Sequence, residues 1–272
     1  MTTTLSKGDY VRVDGLKTFY LEAGRGEPIL LIHGASPGAC AGINWKLNIE
    51  PLANAGFTVY AYDQPGYGYS DQPEDYSIEY RVSHAKAFVD QIGLERFHVI
   101  GNSVGGYIAA RIALEDKRSL SFITTTSGTL APKGSSASQA LAQKHSQELR
   151  EYTPSMENMR ALTMGTLFSK QLVTEELVKQ RYEMSIGKNY EAQLRRRAAP
   201  PPKAIDDELR GLSKKTLLLW GNNDRGVSVE RGHLLFEQIA KAEFHLFDQC
   251  AHWVQMDQAG RFNNLVVDFL HS

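Results

Sequence analysis

The sequence predicts an α/β fold, a largely parallel sheet covered by helices. Three observations carry this expectation. Short β-rich runs alternate with helical patterns along most of the chain. A glycine-flanked serine stands where one such strand meets a helix. The alternation is interrupted once, by a polar helix-like stretch with no strand pattern.

Taken in order, Tyr10–Val13 and Thr18–Glu22 flank Asp14-Gly15, which reads as an N-terminal antiparallel hairpin. The run from Pro28 to His33 is continuously apolar until its last residue, as for a strand buried on both faces. Phe57–Tyr62, Phe97–Ile100, Leu120–Thr125, Thr216–Trp220 and Glu243–Phe247 read the same way. Between them, Asn44–Asn54, Ser77–Ile92, Ser103–Leu114, Ser228–Ile239 and Gly260–Phe269 are helical candidates. From about Ala131 to Leu209 the chain is rich in Gln, Lys, Glu and Arg. Lys133–Ser138 reads as a flexible entry to this insertion and Ala198–Pro202 as a stiff exit. The expected organisation is therefore a core of residues 1–132 and 205–272 with a helical lid at 133–204.

The composition narrows the class. Of 272 residues, 42% are hydrophobic and 22% charged, which is globular rather than disordered. A net charge of −1 gives no electrostatic reason for a nucleic-acid or anionic-membrane partner. Two cysteines, Cys40 and Cys250, are too few for a disulfide framework and fit no metal-ligand spacing. The N-terminal MTTTLSKGDY lacks the pattern of a signal peptide. No run approaches the roughly 18 apolar residues of a membrane span. A soluble, cytoplasmic protein without metal or cofactor is expected.

The chemistry enters at Gly101-Asn-Ser103-Val-Gly105-Gly106, an instance of G-x-S-x-G. Small flanking residues let a strand turn sharply into a helix and lift the serine above the sheet. A serine hydroxyl needs a base to take its proton. In this fold the acid and then the base follow the serine in chain order, each in a loop after a later strand. Asp224 follows Thr216–Trp220, and His252 follows Glu243–Phe247. Ser103, His252 and Asp224 are thus the expected nucleophile, base and orienting acid. The other seven histidines lie in strands, in helical stretches or at the terminus, and read as packing or surface residues; His33 closes a strand, where it holds the following loop. The turn His33-Gly-Ala35-Ser36-Pro-Gly38 supplies a second oxyanion donor, the Ala35 N–H, to pair with that of Val104.

At this point the chain resembles the meta-cleavage product hydrolases of bacterial aromatic degradation, α/β-hydrolase fold enzymes that cleave a carbon–carbon bond of 2-hydroxy-6-oxohexa-2,4-dienoates. The likeness runs nearly end to end. It rests on His33–Gly38 with Asn44-Trp45, Asp63-Gln-Pro-Gly-Tyr-Gly-Tyr-Ser-Asp71 and Gly101–Gly106. Thr174–Tyr182, Gly221-Asn-Asn-Asp-Arg225 and Cys250-Ala-His-Trp253 complete it. The resemblance implies that Arg181 and Asn44 hold the carboxylate and 2-oxo end of the substrate and that Trp253 lines the same side. It also implies a homodimer or higher homo-oligomer. A guanidinium independently suits a buried carboxylate, which it meets bidentately while keeping its charge.

The sequence departs from the family in the oxyanion turn, where glycines are common at the places of Ala35 and Ser36. A donor survives that change only if φ is negative; Ser36 then adds a hydroxyl near the substrate. A carboxylesterase or lactonase with the same triad is the competing enzyme reading, and a non-catalytic ligand receptor the competing reading of another class. Met156, Met159, Leu162, Met164, Leu167 and Phe168 are divided between lining the substituent pocket and packing the insertion itself.

Overall fold

Strands form where apolar residues run continuously, because both faces of the sheet are covered. In a computed structural model describing residues 8–272, β3 (Glu27–Ile32) shows the pattern. Leu30 and Ile32 point to one hydrophobic layer, Ile29 and Leu31 to the other. This is the period-two alternation of a strand. On one face pack α3 (Ile78–Gln91), α4 (Val104–Glu115) and α10 (Val229–Gln238), through Phe88, Ile108 and Leu235. On the other, α2 (Ile49–Asn54) and, after the short α11 (Val254–Asp257), α12 (Ala259–His271) contribute Leu52, Phe262 and Val266.

The eight strands lie in the order β1-β2-β4-β3-β5-β6-β7-β8. β1 (Asp9–Val13) and β2 (Leu16–Gly24) form the predicted antiparallel hairpin, turned by Asp14 and Gly15 at φ 48° and 85°. β2 is also antiparallel to β4 (Phe57–Tyr62). From there to β5 (Phe97–Asn102), β6 (Ser119–Thr125), β7 (Lys215–Gly221) and β8 (Ala242–Phe247) all pairings are parallel. The carboxyl ends of the parallel strands therefore share one edge, the usual place for a site in such sheets.

Two local expectations need correction. The helix expected over Asn44–Asn54 is two short ones, α1 (Ala41–Asn44) and α2. Pro51 has no N–H and its ring would meet the carbonyl four residues back, so one continuous helix is disfavoured there. The expected flexible entry at Lys133–Ser138 is partly helical. α5 (Ser136–Glu151) begins inside it, capped by the Ser135 hydroxyl, which accepts from the Ser138 N–H. Glu230 in turn accepts from the N–H and hydroxyl of Ser135 at 2.8 and 2.7 Å. After α5 come α6 (Met156–Thr166), α7 (Glu175–Glu183), α8 (Lys188–Ala198) and the short α9 (Asp206–Leu209) before the sheet resumes. Among the described residues no helix is long and apolar enough to cross a membrane; the signal-peptide reading concerns a terminus whose residues 1–7 lie outside them.

Candidate active site

Ser103 is the single residue between β5 and α4, with φ 55° and ψ −120°. A residue with a side chain at positive φ is strained and persists only where its surroundings dictate it. Here the glycines dictate it. A Cβ on Gly101 would stand 2.1 Å from the Gly105 carbonyl, and one on Gly105 2.2 Å from the Ile32 carbonyl. At Gly106 it would meet Thr124 Oγ1 at 2.1 Å. Hydrogen bonds then pin the serine backbone on both sides. Its N–H donates to Thr125 O at 3.1 Å, and its carbonyl accepts from the Ser127 hydroxyl at 2.5 Å.

The loops after β7 and β8 bring the other two groups together. His252 Nδ1 lies 2.7 Å from Asp224 Oδ2, while Asp224 Oδ1 accepts the N–H groups of Gly226 and Val227 at 2.6 and 2.9 Å. Burial by itself would raise the Asp224 carboxyl. The facing imidazole, its hydrogen bond and the two amides outweigh burial and hold it below the usual carboxylate range. The acid is therefore ionised beside the imidazole, which leaves Nε2 for other work. Ser103 and His252 line one cavity of about 80 Å³ with Ala35, Ser36, Val104, His145, Leu149 and Thr166.

Both expected oxyanion donors are thus at the cavity. Val104 opens α4, so its N–H has no acceptor within the helix. Among the described residues, those other than glycine with positive φ are Asp14, Ser103, Thr126 and Gln249. Ala35 is not one of them, so its methyl group brings no strain to the turn. Gly38, at φ 72°, does need to be glycine, because a Cβ there would lie 2.2 Å from the carbonyl of Arg181.

That contact joins the turn to α7, where Arg181 is completely buried. Its guanidinium donates to Thr163 Oγ1 at 2.9 Å, Ser36 Oγ at 3.3 Å and Pro37 O at 3.1 Å. It lies 4.6 Å over the ring of Trp253. Every one of these partners is neutral, and Nε has none. Burial lowers the guanidinium to about 10, so it is still charged at neutral pH. Asn44 donates to Asn102 Oδ1 at 3.1 Å, and its own Oδ1 is buried without a partner. Arg181, Asn44 and Trp253 do not line the small cavity themselves. Arg181 reaches it through Ser36, and Asn44 approaches Ser103 through the adjacent Asn102.

Several contributors were not singled out in the sequence. Asn102 had only its place beside Ser103 to mark it. Asp257 carried no signal at all, yet its carboxylate accepts the N–H groups of Ala251, Phe168 and Ser169 at 2.9, 2.9 and 3.0 Å. It thereby ties the loop of the base to the chain after α6. His252 N–H also donates to Thr166 O at 3.1 Å. His145, read as a packing residue, stands 5.9 Å from His252, ring centre to ring centre. His33 does hold its loop: Nδ1 lies 2.6 Å from Gly34 O, and Nε2 accepts from the Gln64 N–H at 3.0 Å. Of the insertion's apolar residues, Met159 and Leu167 are core, whereas Leu162 and Met164 line a cleft beside α5.

The chain is similar to known proteins over nearly its whole length. A family model described as alpha/beta hydrolase fold matches residues 27–259. A 2-hydroxymuconate semialdehyde hydrolase of Pseudomonas sp. strain CF600 is 32% identical over 94% of this chain and 91% of its own. A 2-hydroxy-6-oxo-6-phenylhexa-2,4-dienoate hydrolase of Comamonas testosteroni is 33% identical over 92% and 90%. Among solved structures, a serine-to-alanine mutant of a meta-cleavage product hydrolase from Pseudomonas fluorescens IP01, complexed with acetates, superposes with a TM-score of 0.86. It is 32% identical and covers 97% of each chain.

Proposed function

The chain belongs to the α/β-hydrolase family and, within it, to the meta-cleavage product hydrolases, and from that premise we propose that it is a serine-dependent enzyme cleaving a carbon–carbon bond of a 2-hydroxy-6-oxohexa-2,4-dienoate in aromatic degradation. In this reading residues 133–204 act as a lid on the core formed by 1–132 and 205–272. The observation that carries the choice of substrate is Arg181. A buried guanidinium with only neutral partners and an unpaired Nε, one hydroxyl away from the nucleophile's cavity, calls for an anion. A neutral ester offers none; a dienoate carboxylate does.

The chemistry then runs in two stages. The carboxylate is held by Arg181 on the side of Asn44, Ser36 and Trp253. The dienol becomes the keto form with His252 moving the proton, which lets the later leaving group carry its electron pair. Ser103 Oγ, losing its proton to His252 Nε2, attacks the C6 carbonyl, and the oxyanion is met by the N–H groups of Ala35 and Val104. When the C5–C6 bond breaks, its electron pair is taken up through the C3–C4 double bond onto the C2 oxygen, which takes the proton held on His252. A 2-hydroxypenta-2,4-dienoate departs and an acyl-Ser103 ester remains. Water, deprotonated by His252, releases the acid. Asp224 keeps the imidazole in the tautomer and orientation required throughout.

Two substitutions test this. Ser103→Ala should slow loss of the dienolate absorbance by about 10³-fold or more; an undiminished rate ends the covalent mechanism. Arg181→Gln should lower kcat/KM on the dienoate by about a hundredfold while sparing a simple aryl ester, the size of a lost charged hydrogen bond. An equal fall on both substrates removes the carboxylate role and favours the esterase reading. Homo-oligomerisation and a cytoplasmic setting extend the same proposal from family likeness.

A further inference from the structure

The cavity at Ser103 is smaller than its task requires. At about 80 Å³ it falls well below the few hundred Å³ of ordinary small-molecule sites. A second space of about 810 Å³ lies beside α5 and α6, lined by the apolar Leu141, Leu162 and Met164 and, toward its rim, by charged side chains such as Lys144, Glu151 and Arg225. Among the described residues, one side chain lines both spaces, that of His145 on α5. Its imidazole rests on the backbone of the acid's loop, so closely that a Cβ on Gly226 would stand 2.5 Å from Cδ2. The side chain is 22% exposed, and its nearest ionic partner is Glu148 at 3.9 Å, itself largely exposed. Burial and then the neighbouring His252 push it below the ordinary imidazole value, so at neutral pH it is an uncharged ring.

We propose that His145 separates the reaction cavity from the α5–α6 cleft and thereby determines which acyl groups the enzyme accepts. The substituent on the attacked carbonyl runs past the imidazole into the cleft. The Arg181–Ser36 wall is already assigned to the carboxylate end, which leaves the wall that opens on a larger space for the acyl end. The inference rests on attack by Ser103 as read above. It does not depend on the bond cleaved, because the acyl half is the same in a dienoate and in an ester. Side chains of one methylene more or less at such a constriction change selectivity by about tenfold or more.

The test compares the wild-type protein with His145→Ala and His145→Phe on two series. One is dienoates bearing methyl, propyl or phenyl at C6; the other is p-nitrophenyl esters from acetyl to octanoyl. In His145→Ala the ratio of kcat/KM for the large acyl group to that for the small one should rise about tenfold, and in His145→Phe it should fall. A residue that merely supports the Asp224 loop would change kcat for large and small acyl groups in the same proportion. Unchanged ratios in both variants overturn the proposal. Turnover of esters but of no dienoate would sink the carbon–carbon reading while leaving the His145 inference to be decided by the ester series. Inertness of the wild type toward both series overturns the two together.

Discussion

At the scale of single residues, the orientation of His252 depends on how firmly its carboxylate partner is held. Asp224 shows why. Its carboxylate accepts two amides through one oxygen and faces His252 through the other. Asp224→Asn should preserve that loop while offering the imidazole a partner of the wrong kind, favouring the wrong tautomer. A loss of about 10⁴-fold in kcat is expected, with little change in KM, as steady-state kinetics would register. A loss below tenfold would mean that the imidazole orients itself. Ala35 makes the opposite point. Whether its methyl group strains the turn depends on φ, which no sequence pattern reveals, and in the structure Ala35 is not among the residues of positive φ.

At the scale of elements, the junction of β5 and α4 is the most constrained piece of the molecule. The carbonyls and side chains that crowd Gly101, Gly105 and Gly106 belong to α4 itself, to β3 and to β6. Gly105→Ala should therefore destabilise the protein by about 3 kcal/mol, because the Ile32 carbonyl it meets is backbone and cannot rotate away. Gly260, near the start of α12, has nothing within 4 Å of an added Cβ. Gly260→Ala should instead stabilise by about 0.5 kcal/mol through its lower backbone entropy. Denaturant titration of the two variants distinguishes crowding from propensity; equal effects would refute the steric account. The insertion's helices reach the core through side chains given to backbone carbonyls. Arg181 donates to Pro37 O, Asn189 to Gly68 O, and Arg196 to Gly66 O at 2.6 Å.

At the scale of the whole molecule, buried titratable groups set how stability responds to acid. Burial lowers His33 to about 3 and His84 to about 4. In the unfolded chain both titrate near 6.5, so below that value the unfolded state binds protons that the native state refuses. Their contribution is complete above about pH 6.5 and is lost as pH falls, at about 1.4 kcal/mol per pH unit for each. Asp63 acts in the other sense. Burial raises it to about 6, so the native state gains a proton first as pH drops below that value. Between about pH 6 and 4 Asp63 offsets one of the two, so these three groups together lose roughly one histidine's share, and His98 and His145, which burial also lowers, add to the loss. Tm measured across that range should fall, and His84→Phe should flatten the fall; an unchanged slope in the variant would show that His84 does not report there.

Much of this protein is determined by local patterns. Continuous apolar runs specify strands buried on both faces, and Asp14-Gly15 specifies a hairpin. The order serine, aspartate, histidine, each after its own strand, specifies where those three side chains emerge. Periodicity and turn chemistry act over a few residues, and so they can be read without coordinates. What tertiary structure alone decided lies between elements distant in sequence. Asp257 binds the loop at Phe168 to the loop at Ala251, two segments far apart in sequence. Arg181 is an ordinary cation on a polar helix until the tertiary structure buries it among neutral partners. His145 becomes interesting only because a cavity and a cleft meet at its ring. Burial, charge compensation and shared space are properties of a packed chain, and no short stretch of residues encodes them.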